Sequence, residues 1–109
     1  MFSGIIEAKS KVLEAQALDP ENPQSLVKIQ IEKPVEFNDL KSGDSIAVNG
    51  ICLTLEDFSP RAMQFALGHE TLKVLGLERK NILRKELNLE RSLRFGDRVH
   101  GHFVTGHVD

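Results

Sequence analysis

The fold class is decided by the stretch Ser45-Ile46-Ala47-Val48-Asn49-Gly50-Ile51-Cys52-Leu53-Thr54-Leu55. Its two apolar halves flank Asn49-Gly50, two residues that tolerate the positive φ angles of a type I′ turn. The pattern therefore predicts a β-hairpin with strands at residues 45–48 and 51–55. Since side chains two positions apart share a face of a strand, Cys52 and Thr54 are expected to point away from the apolar face.

The same alternation continues outside the hairpin. Residues 26–32 carry apolar side chains at 27, 29 and 31 and polar ones at 28, 30 and 32, which predicts a half-buried strand. Further strands are expected at 2–12, 62–67, 85–91 and 98–104. Only residues 70–76 are expected to be helical, with Thr71 as the N-cap. About six short strands with no long helix predict an all-β fold, a small antiparallel barrel without exposed sheet edges.

Composition and charge limit the partners. The 109 residues are 40% hydrophobic and 28% charged, as in an ordinary globular domain. The net charge is −2 with both signs well mixed, so a nucleic-acid phosphate backbone is not an expected partner. The chain has no apolar run of membrane-spanning length and no basic start of a signal peptide. With Cys52 as its single cysteine, we expect a cytoplasmic protein that contacts no membrane.

The end of the chain resembles its beginning. Phe-Ser-Gly-Ile-Ile-Glu at residues 2–7 and Val-Thr-Gly-His-Val-Asp at 104–109 follow the same order of residue classes. A chance match over six residues is the simple alternative. A true repeat divides the chain into one barrel at 1–97 and, at 98–109, a linker and the first strand of a second copy. Such an unpartnered strand is expected to be disordered, to pair back onto the barrel or to dock on another chain.

The hairpin carries small polar side chains that suit a ligand. Ser45 and Ala47 share a face of the first strand, and Cys52 and Thr54 share a face of the second. Together these side chains could form a surface that a large apolar ligand covers. The alternative is that Cys52 is a buried small side chain and that Thr54 is a strand former facing solvent.

Two further groups of residues could carry chemistry. His100, His102 and His107 are close in sequence, but one cysteine and no carboxylate at ligand spacing argue against a metal. A single histidine could instead transfer a proton near neutral pH, or all three could be surface residues. At residues 68–71, the backbone amides of a strand-to-helix turn could bind an acceptor such as a ring carbonyl, or simply begin a capped helix.

Five segments together resemble the riboflavin synthase family. They lie at residues 1–7, 43–54, 70–72, 88–93 and 101–109, in the family's order and across nearly the whole chain. The resemblance implies two tandem six-stranded Greek-key barrels, of which this chain holds the amino-terminal lumazine-binding barrel with one short helix. Residues 66–69 depart from the family's usual acidic or polar stretch with proline. This departure puts the side-chain contacts there in doubt, but not the backbone contacts.

The resemblance also implies an activity. Such enzymes dismutate two molecules of 6,7-dimethyl-8-ribityllumazine to riboflavin and 5-amino-6-ribitylaminouracil by transferring a four-carbon unit, with no cofactor or metal. They assemble as homotrimers, and lumazine synthase is a candidate protein partner. A non-catalytic lumazine- or flavin-binding antenna protein is the alternative, which the retained motifs disfavour. Because most of the second barrel is missing, we expect this chain to bind ligand as a homodimer with little or no synthase activity.

The resemblance assigns site residues by position. Ligand contacts are expected at Gly4, Ile5, Ile6, Cys52, Leu53, Thr54, Ala66, Leu67, Gly68, His69, Glu70, Thr71, Gly106, His107 and Val108. Ser45, Cys52 and His107 match positions that the family associates with catalysis. Ser45 and Cys52 would polarise or hydrogen-bond the ring, and His107 would handle a proton near the second lumazine. Modest side chains suffice, since the 7-methyl protons of the lumazine are already acidic and alignment of the two substrates lowers the barrier.

Overall fold

Seven strands and one short α-helix form the described part of the chain, residues 2–22, 25–77 and 81–93 of a computed structural model. The elements are β1 (Ala8–Ala17), β2 (Val27–Glu32), β3 (Ser45–Val48), β4 (Ile51–Thr54), β5 (Asp57–Phe58), β6 (Ala62–Leu67), α1 (His69–Val74), a 3₁₀ turn (Ile82–Arg84) and β7 (Glu86–Arg91). This arrangement confirms the all-β fold class with a single short helix.

The strands form one curled antiparallel sheet, which makes a half-barrel. Their order is β4-β3-β7-β1-β2-β6-β5, and every described pair is antiparallel. The edge strand β4 ends at Thr54 and the opposite edge strand β5 begins at Asp57. Because two residues join them, the two edges of the curled sheet lie near each other at this point.

The Asn49-Gly50 turn has the predicted geometry. Its φ angles are 49° at Asn49 and 82° at Gly50, and Val48 pairs with Ile51 directly before and after it. The turn is also bound to β7. The Asn49 N–H donates to the Asn88 carbonyl oxygen at 2.8 Å, and the Asn88 N–H donates to Asn49 Oδ1 at 2.8 Å. The hairpin prediction is confirmed, and its tip is fixed by two contacts to β7.

The core lies inside the curl of the sheet. In β2, Ile29 and Ile31 are fully buried as the alternation predicts. The inward-facing positions of the other strands and the side chains of α1 and the loops join them. The buried cluster consists of Val12, Ile29, Ile31, Phe37, Leu40, Ile46, Val48, Leu53, Leu55, Met63, Phe65, Leu67, Leu72, Leu75, Leu77, Leu87 and Leu89.

The first strand differs from its prediction. It begins at Ala8 rather than at residue 2, because Gly4 has φ +85° and the N–H groups of Ser3 and Gly4 bond to the Glu90 side chain instead of a neighbouring strand. It extends to Ala17, with a register shift between Val12 and Glu14 that indicates a β-bulge. The bulge lets β1 pair with β7 through its first half and with β2 through its second.

Three smaller predictions need revision or fall outside the structure. The helix begins at His69 with Gly68 as an N-cap that makes no side-chain cap bond, so Thr71 as the N-cap is wrong. The short strand β5 was not predicted, and it forms because its backbone pairs with β6. The strand at 98–104 and the repeat at 104–109 lie outside the described residues. No helix in the described ranges is long and apolar enough to span a bilayer.

Candidate functional site

The outer face of the β3–β4 hairpin carries the small polar side chains. Ser45 lies directly opposite Thr54, and Ala47 lies opposite Cys52. Cys52 and Thr54 are exposed and Ser45 is half-buried, whereas the intervening Leu53 points into the core. The predicted shared face of Cys52 and Thr54 is therefore confirmed. The alternative in which Cys52 is a buried small side chain is wrong.

The N-terminal segment, defined as residues 2–7, lies against β7 beside this face. The Ser3 N–H and hydroxyl donate to Glu90 Oε2, and the Gly4 N–H donates to the same oxygen at 3.1 Å. Glu90 alternates with the core residue Leu89 and pairs with Ala47 of β3. Although both face outward, Glu90 is only 7% exposed and Ala47 only 6%. The N-terminal segment therefore covers this part of the outer face.

A groove of about 300 Å³ separates the N-terminal segment from the hairpin tip. Gly4 and Ile6 line one side of it, and Ala47, Asn88 and Glu90 are among the residues that line the other. The volume lies at the lower end of the range for small-molecule pockets. Of the predicted ligand contacts, the structure thus places Gly4 and Ile6 in the groove. Cys52 is not among the lining residues but lies directly opposite one of them, Ala47.

Arg91 fixes the far end of the N-terminal segment. Its guanidinium donates to both carboxylate oxygens of Glu7, at 3.1 Å from Nε and 2.9 Å from Nη2, and Nη1 donates to Asp39 Oδ1 at 3.1 Å. The same group stacks over the Phe37 ring, 4.6 Å from its centroid. The hydrogen bond to Glu7 is the main reason that the pKa of Arg91 is raised. Arg91 therefore stays charged and joins three parts of the chain.

The predicted contacts at residues 66–71 follow β6 into α1. The Leu67 side chain lies in the core, whereas His69 and Glu70 are exposed. Ala66, Gly68 and Thr71 are half-buried. The helical hydrogen bonds begin with the Leu72 N–H, which donates to the Gly68 carbonyl, so the amides of residues 69–71 have no acceptor within the helix. Because the Leu67 side chain is buried, Leu67 could contact a ligand only through its backbone, which lies opposite Val27 of β2.

One backbone hydrogen bond shows where this segment lies relative to the hairpin. The Glu56 N–H donates to the Gln64 carbonyl at 2.9 Å. Because β5 and β6 are antiparallel, the chain before Glu56 and the chain after Gln64 run away from this bond in the same direction. Thr54 and Ala66 therefore lie towards the same end of the sheet.

The described residues also form a larger cavity, of about 630 Å³, between β1 and α1. Apolar side chains such as Leu13, Leu72 and Ile82 line it, together with polar ones including Lys73. Among the described residues that line this cavity, His69 is the only one predicted to contact a ligand. The smaller groove adjoins more of the predicted site, so we place the candidate site there despite its smaller volume.

The remaining predicted residues, Gly106, His107 and Val108, lie outside the described residues, as do His100 and His102. Within residues 2–22, 25–77 and 81–93, no group of three or more histidine, cysteine or acidic side chains is arranged to hold a metal ion.

Three residues of this region had no site role in the sequence analysis. Glu90, Glu7 and Arg91 position the N-terminal segment, although none of them was predicted to contribute to the site. The available signal was charge within a strand pattern. Glu90 and Arg91 are adjacent at the end of β7, so their side chains face opposite sides of the sheet. A charged side chain that is covered at such a position needs a partner.

Known proteins similar to this chain point to one family. A family model described as the lumazine binding domain matches residues 3–92. The chain belongs to this family. The matched range includes every predicted ligand contact within the described residues, from Gly4 to Thr71.

The curated relatives of this lumazine-binding domain include riboflavin synthases. It is 40% identical over 111 residues to riboflavin synthase of Bacillus subtilis (strain 168) and 37% identical over 109 residues to that of Schizosaccharomyces pombe. It is 39% identical over 115 residues to riboflavin synthase of Mycobacterium tuberculosis (strain ATCC 25618 / H37Rv). Each alignment covers 100% of this chain and 48%, 50% and 52% of the relative, respectively. The chain thus spans about half the length of these relatives, and the family resemblance seen in its motifs is confirmed.

Proposed function

We propose that this chain is the amino-terminal lumazine-binding half of a riboflavin synthase. The complete enzyme would dismutate two molecules of 6,7-dimethyl-8-ribityllumazine to riboflavin and 5-amino-6-ribitylaminouracil. The observation that carries the proposal is the family match over residues 3–92, which contains both the groove and the small polar face of the hairpin. Similarity to riboflavin synthases over the whole chain supports it.

In this proposal, one lumazine binds across the groove and the hairpin face. Gly4, Ile5 and Ile6 contact it from one side. The side chains of Cys52 and Thr54 contact it from the other, together with the backbone of Leu53, whose own side chain is buried. The segment from Ala66 to Thr71 completes the pocket, with its backbone amides as donors to the ring. The half-buried Ser45 and the exposed Cys52 lie on the same face of the hairpin, which suits them to hydrogen-bond the bound ring.

The proposed chemistry needs orientation more than strong acids or bases. The lumazine ring delocalises the anion formed from its 7-methyl group, so hydrogen-bond donors that stabilise this charge contribute directly to the rate. Holding two lumazines face to face supplies much of the remainder. The second lumazine would meet Gly106, His107 and Val108 at the start of a second barrel, with His107 transferring a proton.

Fluorescence titration tests the ligand and the site together. Riboflavin and 6,7-dimethyl-8-ribityllumazine would be titrated with wild-type chain, Thr54→Ala, Cys52→Ala and the exposed loop variant Ser42→Ala as a control. Loss of one hydrogen bond from Thr54 should weaken binding about tenfold. Ser42→Ala should bind like the wild type. Unchanged binding in both hairpin variants would contradict the site, and no binding by the wild type would contradict the function.

The same proposal limits what the 109-residue chain does alone. We propose that it binds ligand but forms little or no riboflavin, because the second lumazine site would lie in a partner barrel. We further propose that two chains associate through the outer face, where Ile5 and Ile6 are 41% and 54% exposed. Measurable riboflavin formation by the purified chain would contradict the first statement, and a single monomeric species in sedimentation at high concentration would contradict the second.

A further inference from the structure

We infer that Glu90 is the positioning residue of the ligand groove. By accepting hydrogen bonds from Ser3 and Gly4, its carboxylate fixes the backbone of Gly4–Ile6 at the edge of the groove. The inference rests on the proposed function, since it assigns the N-terminal segment to ligand binding. It adds a residue that has no place among the proposed ligand contacts.

The hydrogen bonds of the Glu90 carboxylate to Ser3 and Gly4, called the clamp below, hold the N-terminal segment against β7. Glu90 Oε2 accepts from the Ser3 N–H, from the Ser3 hydroxyl at 3.0 Å and from the Gly4 N–H at 3.1 Å, while Oε1 lies 3.2 Å from the Gly4 nitrogen. Hydrogen bonds to an ionised acceptor are about twice as strong as neutral ones. The carboxylate is nearly buried, at 7% exposure of the residue, so water competes weakly for these donors.

Glu90 also lies on a rigid support. Its strand, β7, pairs with β3 on one side and with β1 on the other. Ala47, which lines the groove, is its direct partner in β3. The same side chain therefore relates the N-terminal segment to the hairpin that forms the opposite wall. Changing Glu90 should alter the distance between the two walls without removing either.

The N-terminal segment needs such a clamp because it has little else to hold it. It belongs to no strand, and Gly4 adopts φ +85° with open space around it. Its far end is held by the Glu7 N–H, which donates to the Leu89 carbonyl at 2.9 Å, and by the pairing of the Glu7 carboxylate with Arg91. Between the two anchors, Ile5 and Ile6 remain exposed. Their position thus depends on both ends being fixed.

The test compares Glu90→Ala and Glu90→Gln with the matched control Glu86→Ala, an exposed glutamate of the same strand. Binding of 6,7-dimethyl-8-ribityllumazine would be measured by fluorescence. Hydrogen exchange would follow the amides of Gly4 and Ile5, which donate to Glu90 and to the Ser3 hydroxyl oxygen. If the segment occupies its bound geometry in one tenth of Glu90→Ala molecules, the apparent Kd rises about tenfold. The same amides should exchange faster. Glu90→Gln, which keeps one acceptor oxygen, should be intermediate, and Glu86→Ala unchanged.

A double-mutant cycle with Gly4→Ala separates positioning from a general loss of stability. Alanine at φ +85° disfavours the same backbone conformation, and within the described part of the chain its Cβ meets no heavy atom within 4 Å beyond the adjacent residues. If both changes release the same segment, their effects on Kd are not additive, whereas unrelated effects add. If Glu90→Ala binds the ligand as tightly as the wild type, or if the effects of the two substitutions on Kd are additive, the inference is overturned and the proposed function stands. Absence of wild-type binding would overturn both.

Discussion

The strand β2 and the N-terminal segment are held in place by different forces. β2 pairs with β1 and β6 along its edges and buries Ile29 and Ile31 completely. The N-terminal segment instead exposes Ile5 and Ile6, and is held by the side chains of two adjacent residues of β7. The sheet around β2 is thus stabilised by apolar burial, whereas the N-terminal segment is held by directional polar contacts. Because polar contacts hold the N-terminal segment, the side chains of Ile5 and Ile6 remain available to contact a ligand.

The largest effect on stability should come from the scaffold. Ile29→Ala removes a fully buried side chain and leaves a cavity, so the free energy of unfolding should fall by about 4 kcal/mol. Urea denaturation followed by circular dichroism measures this change. Val35→Ala, at an 83% exposed position, is the control and should stay within about 0.5 kcal/mol of the wild type. Equal effects of the two substitutions would contradict the assignment of β2 to the core.

A smaller effect on stability is expected at the ion pair of Glu7 and Arg91. Glu7→Gln removes the charge that Arg91 contacts through two nitrogens in a nearly buried pair, which should lower stability by about 2 kcal/mol. The exposed pair of Lys28 and Glu56, at 3.8 Å, is the matched comparison. Glu56→Gln should change stability by less than about 0.5 kcal/mol. Similar losses from both substitutions, measured by urea denaturation, would show that burial does not distinguish the two pairs.

The smallest of the three effects should come from the hairpin turn. Gly50→Ala places a side chain at φ +82°, which should lower stability by about 1 kcal/mol. A steric clash is not expected, because no heavy atom of the described residues beyond the two chain neighbours lies within 4 Å of the added carbon. Thermal unfolding measures this loss. Ser42→Ala is the control, because Ser42 is an exposed turn residue without a positive φ. A loss at Ser42 as large as that at Gly50 would contradict the type I′ geometry as the cause.

The sequence predicted those parts of the fold that depend on neighbouring residues. The Asn49-Gly50 turn and the alternation in β2 are local signals, and both were confirmed. The second half of β1 was missed because Leu13 to Ala17 consists of residues that favour helices, and only pairing with β2 makes the segment a strand. The helix start was displaced because Gly68 caps it without a side-chain bond.

The candidate site was predictable to a similar extent. The shared face of Cys52 and Thr54 followed from strand periodicity and was confirmed. The clamp from Glu90 to Ser3 joins residues 87 positions apart, and no local pattern contains such a contact. Periodicity showed which residues share a face of one strand. It could not show which distant segment would cover that face.

The position of β7 has a consequence for the order of folding. It is the last described strand in the chain, yet it lies between β3 and β1 in the sheet. Until residues 86–91 have left the ribosome, none of the other described strands links the β3–β4 hairpin to β1, β2 and β6. We therefore expect two separately formed sheet halves during synthesis, with a late joining step that completes both the core and the proposed ligand groove.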